Sequence, residues 1–144
     1  MDTTTAHCRI SLADAALREG SADHLATGVL GEELAARHLR DAHGLRIVAR
    51  NWRVSAGELR GELDLVAYDE PAQRVVVCEV KARRDAQRFG GALAAVSPRK
   101  RAQVRRLAAA FLREAGLRHQ GVSLDVIAVD LGAAPTLTHL PSAL

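Results

Sequence analysis

The chain has 144 residues, 48% of them hydrophobic, with 20 Lys and Arg against 17 Asp and Glu and a formal net charge of +3. That length suits one domain with a buried core. No apolar run approaches the roughly 20 residues of a membrane span, and the first residues lack the basic-then-apolar order of a signal peptide. Together with only two cysteines, Cys8 and Cys78, this sets the expectation of a cytoplasmic protein in which Cys78 is a small buried hydrophobe. The four aromatics, Trp52, Tyr68, Phe89 and Phe111, are too few for a base-stacking platform on single strands.

Residues 1–21 read as a loosely ordered tail, in which Leu12 to Arg18 could form a short helix, and residues 22–144 as a single domain. The first clear helix is predicted from Asp23 to Asp41, ending before Gly44. Leu25, Val29, Ala36 and Leu39 make its apolar stripe. At about 100° per residue Glu32 falls in the middle of that stripe and Glu33 well to its side. A carboxylate so placed needs a cation beside it, because an unpaired buried charge is costly. Leu45 to Trp52 reads as a strand leading into a polar turn at Ser55-Ala-Gly57. Two further strands, Gly61 to Tyr68 and Val75 to Lys81, are joined as a hairpin around Asp69-Glu70-Pro71. Ala82 to Val96 is irregular, with Gly90-Gly91 as a flexible centre or flap. Ser97-Pro98 then opens a second helix, Ser as its cap and Pro in the first position, which stops at Gly116. Val104, Leu107, Ala108, Phe111 and Ala115 form its buried face with Lys100 on the same side, whereas Arg99 and Arg106 point away. Val122 to Leu131 is another strand, and Thr136 to Leu140 a short edge strand. A helix between the third and fourth strands implies a right-handed parallel crossover. The expected fold class is α/β, a mixed sheet flanked by helices in the order α-β-β-β-α-β.

The hairpin strands carry charge where a buried strand should avoid it. Glu62 and Asp64 share one face of the first, Glu79 and Lys81 one face of the second, so four charged groups can converge. Hydrolysing a phosphodiester adds negative charge to a group already negative, and a divalent cation relieves that. Mg²⁺ (or Mn²⁺) takes oxygen ligands and needs only one or two carboxylates. Asp64 and Glu79 are the expected ligands, the carbonyl of Val80 a third, and Glu32 reaches the same ion from the first helix. Lys81 would orient the water or hold the scissile phosphate. Glu62 is a weaker candidate, for a second ion or an outer role.

Charge is also unevenly placed along the chain. From Lys81 to Arg106 nine Lys or Arg stand against one acid, Asp85, while the remainder has eleven basic and sixteen acidic residues. A basic segment beside an acidic cluster suggests a polyanion held near bound metal. Arg83, Arg84, Lys100, Arg101 and Arg105 are its candidate nucleic-acid contacts. The six histidines show no metal spacing with one another or with cysteine.

Asp64 followed fifteen residues later by Glu79-Val-Lys81 resembles the PD-(D/E)xK nuclease signature. More closely, the chain resembles the bacterial YraN family of uncharacterised, restriction-endonuclease-like proteins. The likeness runs through Gly28-Val-Leu-Gly31-Glu32, Arg50-Asn-Trp-Arg53, Gly61-Glu-Leu-Asp64, Val77-Cys-Glu79-Val-Lys81, Pro98-Arg-Lys100, Asp125-Val-Ile-Ala-Val and His139-Leu-Pro-Ser-Ala143. It implies a restriction-endonuclease-like core, with Glu32, Asp64, Glu79 and Lys81 in active-site positions and Lys100 in a supporting one. Gly57-Glu58-Leu duplicates Gly61-Glu62-Leu, but only the second copy supplies an Asp, which anchors the site. Ser123-Leu124 stands where the family tends to have Arg-Phe before Asp125. The expected function is a metal-dependent nuclease acting on DNA, ahead of RNA, including branched or structured DNA, with a homodimer as one way to embrace a duplex. The alternatives are a non-catalytic nucleic-acid-binding protein on the same scaffold, and an interaction module whose basic helix meets an acidic partner.

Overall fold

A computed structural model describes residues 8–11, 24–54, 57–84 and 96–144. Its elements in chain order are β1 (Cys8–Ser11), α1 (His24–Asp41), β2 (Arg46–Arg53), β3 (Glu62–Asp69), β4 (Arg74–Arg83), α2 (Pro98–Ala115), β5 (Gly121–Asp130) and β6 (Thr136–Leu140). They build a six-stranded sheet in the order β1-β6-β5-β4-β3-β2. Only β4 and β5 run parallel, as the α2 crossover between them requires. The helix expected at Leu12–Arg18, most of the polar turn at Ser55-Ala56 and the irregular segment around Gly90-Gly91 lie outside the described residues.

The helix ends obey the local signals. Ser97 caps α2 by accepting a hydrogen bond from the Lys100 amide at 3.1 Å, and Pro98 occupies the first turn, where no backbone donor is needed. Gly116 takes a left-handed conformation at the other end, and its N–H returns to the Leu112 carbonyl. Gly44 does the same for α1, with its amide on the Arg40 carbonyl and that of Leu45 on the Leu39 carbonyl.

Each helix covers one face of the sheet. Ala35, Ala36 and Leu39 of α1 bury Leu65, Cys78, Ile127 and Leu137. Val104, Leu107 and Phe111 of α2 bury Leu63, Val66, Val75 and Val77. Trp52 meets Phe111 edge-on at 5.4 Å between ring centres, pinning β2 to α2. Cys78 is fully buried and its thiol is pushed well up by burial, as expected of a packing residue.

Two expectations are corrected. The N-terminal segment is not wholly tail: Cys8–Ser11 pairs antiparallel with Thr136–His139, so β6 is not an edge strand. The stripe of α1 is also rotated from the one expected. Val29 is 61% exposed, because the helix meets the sheet through its small residues. A β-carbon on Gly31 would overlap Ala82 of β4, so this face approaches closely only because Gly31 lacks one. The rotation carries Glu32 from the stripe's centre to its half-buried border.

Candidate functional site

The site lies where two strands part. β3 and β4 pair from Asp69 opposite Arg74 to Leu65 opposite Cys78. Beyond that point β3 keeps to β2, with Leu63 opposite Trp52, while β4 keeps to β5 as far as Arg83. The pleat changes phase at the same place. Leu63 packs toward α2 and Leu65 toward α1, although residues two apart should share a face. On β2, Trp52 turns to α2 while Arg50 reaches Glu33 of α1 at 2.7 Å. Asn51 and Asp64, the residues between, mark the switch, and Asn51 sits at φ 48°, in the left-handed region that asparagine tolerates best.

This switch turns β3's acids toward α1. One oxygen from each of Glu32, Glu62 and Asp64 lies within 4.8 Å of the others. Arg53 grips Glu62 from the outside at 2.8 Å. Asp64 also accepts a hydrogen bond at 2.9 Å from the Val80 amide, bridging the fork between the strands. Burial pushes Asp64 up to about 7, helped by the charges of Glu79, Glu32 and Glu62 and opposed by the Val80 amide. Burial likewise raises Glu32, against a hydrogen bond from Asn51. Glu33, as expected, points aside; its bond to Arg50 holds it below the ordinary carboxylate range.

The second half of the site comes from β4 and α2. Glu79 is 4% exposed, and its Oε1 lies 3.5 Å from Lys81 Nζ and 3.4 Å from Lys100 Nζ. A carboxylate so buried would cost several kcal/mol, on the order of 3–5, if both ammoniums were removed. Glu79 is the first charge after burial to act on Asp64, which ties the two halves together.

The basic candidates divide among different places. Lys100 belongs to the site itself. Arg84 Nε is bound to Thr27 Oγ1 of α1 at 3.0 Å, and Arg83 is half-buried at the end of β4. Arg101 and Arg105 are exposed on α2. A groove of about 1010 Å³ beside the site is lined instead by Arg60, Arg99, Lys100, Arg106 and Arg113. Helical periodicity sets Arg99 and Arg106 aside for pointing away from the core, and that same direction makes them line the groove.

Two further features escape sequence reasoning. Asn51 has no signal beyond its place in Arg50-Asn-Trp-Arg53. The other is a histidine cluster: His38 Nε2 lies 3.2 Å from His139 Nδ1 and 3.1 Å from His43 Nε2. His139 Nε2 in turn meets Asp125 Oδ2 at 2.8 Å. Burial would raise Asp125, but hydrogen bonds from His139, the Ser123 hydroxyl and the Ser142 amide hold it below its ordinary value. Ser123 thus supplies a polar contact to Asp125.

An α-β-β-β-α-β core, with carboxylates and lysines gathered where its hairpin opens, makes this a restriction-endonuclease-like α/β protein. The chain belongs to the uncharacterised protein family UPF0102, whose pattern matches residues 31–129. This is the family of the YraN-like resemblance. Its relatives include the UPF0102 protein of Mycobacterium sp. (strain JLS), 45% identical over 117 residues, covering 80% of this chain and 82% of the relative. That of Mycolicibacterium gilvum (strain PYR-GCK) is 46% identical over 115 residues, 78% and 89% of the two chains. That of Nocardia farcinica (strain IFM 10152) is 44% identical over 131 residues, 90% and 97%. Among the described residues no helix is long and apolar enough to cross a membrane.

Proposed function

We propose that the protein is a metal-dependent nuclease that hydrolyses phosphodiester bonds in DNA, including branched or structured DNA. The observation that carries this reading is the crowding of Asp64: a carboxylate raised to about 7 by burial and by three neighbouring acids. Such crowding is wasteful in a fold and suited to a cation. The donors are all oxygens, which fits Mg²⁺ or Mn²⁺. Asp64, Glu32 and Glu62, whose oxygens lie within 4.8 Å of one another, would hold the ion, with Glu79 and the Val80 carbonyl as further donors from β4. When bound, it would neutralise phosphate charge and lower the pKa of the attacking water.

The chain's own groups divide the remaining work. Lys81 and Lys100, both on Glu79, offer ammoniums to a phosphate oxygen while holding that carboxylate in place. Asp64, anchored on the Val80 amide, cannot swing away from the fork. The groove arginines would hold the flanking backbone without reading sequence. A pure binder gains nothing from four acids beside phosphate, since without a cation they repel it.

The test is cleavage of linear duplex, branched DNA and RNA with Mg²⁺ or Mn²⁺. Cleavage should disappear in Asp64→Asn and Lys81→Ala while binding persists. Undiminished cleavage by Asp64→Asn would sink the assignment, and binding without cleavage under any metal would select the scaffold reading.

A further inference from the structure

The histidine cluster lies on the α1 side of the sheet, six residues along α1 from Glu32. That is about 9 Å along the helix axis. Three separate segments build it. His38 comes from the last turn of α1, His43 from the turn that follows it, and His139 from β6. The turn is set by α1's end: the Ala42 amide returns to the His38 carbonyl and Gly44 takes a left-handed φ, which folds His43 back over His38.

We propose that His38, His43 and His139 form a second metal site, distinct from the carboxylates, for a zinc-like cation that prefers imidazole nitrogen. Spacing is the first argument. Nitrogens on a tetrahedral zinc at 2.0–2.1 Å stand about 3.3 Å apart. Here the two pairs that share His38 Nε2 are 3.1 and 3.2 Å apart, and one nitrogen from each ring lies within 4.8 Å of the others. The rings are nearly perpendicular in all three pairs, at 78°, 84° and 88°, with centres 4.7, 5.2 and 5.1 Å apart. They stand like three blades around one point.

Proton bookkeeping is the second argument. A neutral imidazole nitrogen carries a proton or a lone pair, never both. His139 Nε2 faces the Asp125 carboxylate, so its proton belongs there and Nδ1 presents a lone pair to His38. His38 Nε2 then faces two nitrogens and can properly satisfy one. Its other nitrogen, Nδ1, is the one buried side-chain polar atom without a hydrogen-bond partner among the described residues. A single cation takes one lone pair from each ring and ends the competition at His38 Nε2, with the His38 proton left on Nδ1.

The third argument is the support behind the ring. A carboxylate on the far nitrogen of a ligating histidine fixes its tautomer and raises its basicity. Asp125 does this for His139, and is itself held by the Ser123 hydroxyl and the Ser142 amide. Three protein donors leave a fourth position for water, and His43 gives the site an exposed side.

The test uses untagged, chelator-treated full-length protein titrated with Co²⁺ and then Zn²⁺. Wild type should bind one tetrahedral Co²⁺ per chain, read by its intense visible absorption, and Zn²⁺ should displace that ion and raise Tm. The Glu32→Gln/Asp64→Asn double variant should retain both responses. His43→Ala should lose the absorption and at least tenfold in zinc affinity, with its metal-free Tm unchanged because His43 is exposed. His43→Cys should restore binding with an added thiolate band. Equal zinc binding by His43→Ala, or disappearance of the absorption in the carboxylate variant instead, would overturn the proposal.

Discussion

A single carboxyl group, that of Asp64, sets the character of the acidic site and makes it measurable without a substrate. Its pKa is about 7 in the folded chain, raised first by burial and then by Glu79, against about 3.9 unfolded. A raised acid favours folding while protonated, so its contribution is full below the unfolded value and is lost as pH climbs through about 7. In chelator-treated protein, Asp64→Asn should therefore gain on wild type as pH rises from 5 to 8, by roughly 1–3 kcal/mol at the top. A constant difference across that range, read by denaturant unfolding, would show that the crowding is not felt. Excess Mg²⁺ should close the gap by stabilising wild type alone. His38 has the opposite sign. Burial lowers it to about 4, so metal-free protein loses the His38 contribution as pH falls from about 6.5 toward 4. His38→Gln should flatten that limb of the stability profile.

At the scale of elements, Gly31 lets α1 approach β4 and so sets where Glu32 sits, whereas Gly28 plays no part in that contact. Gly31 touches Ala82 with no room for a β-carbon, whereas Gly28 has nothing within 4 Å. Gly31→Ala should cost about 1–3 kcal/mol and weaken metal-dependent cleavage by pushing α1 off β4. Gly28→Ala should stabilise by about 0.5–1 kcal/mol, since it adds helix propensity with no clash. Urea midpoints of the two variants moving in the same direction would contradict this. Much of this level is legible in the chain. Ser97-Pro98 and Gly116 bound α2, the hairpin turns at Asp69-Glu70-Pro71, and Glu79-Val-Lys81 lands beside Asp64's strand. The rest depends on information that periodicity does not hold. The rotation of α1 follows the bulk of Gly31 and Ala35, not hydropathy, so Val29 faces solvent despite its place in the stripe. β1 is four residues long, too short for alternation to mark it. The histidines meet across as many as 101 residues of separation, and no spacing rule spans that.

At the scale of the whole molecule, charge is arranged as a groove. Arg60, Arg99, Arg106 and Arg113 line it beside Lys100. The double variant Arg99→Ala/Arg106→Ala should lower the slope of log affinity against log salt by about one for each phosphate no longer neutralised, without changing sequence preference. Arg101→Ala/Arg105→Ala should change that slope less, because those side chains do not line the groove. Equal slopes for the two pairs, measured between 50 mM and 200 mM salt, would move the binding surface elsewhere. A different consequence follows from β1. By lying along Thr136–His139 it occupies amide and carbonyl groups that would otherwise stand open to any passing extended peptide. A chain shortened past Ser11 bares that rim next to His139, and two such chains can zip together there into one continuous ribbon. Trimming a dozen residues should thus make the protein sediment as a larger species than the full chain does.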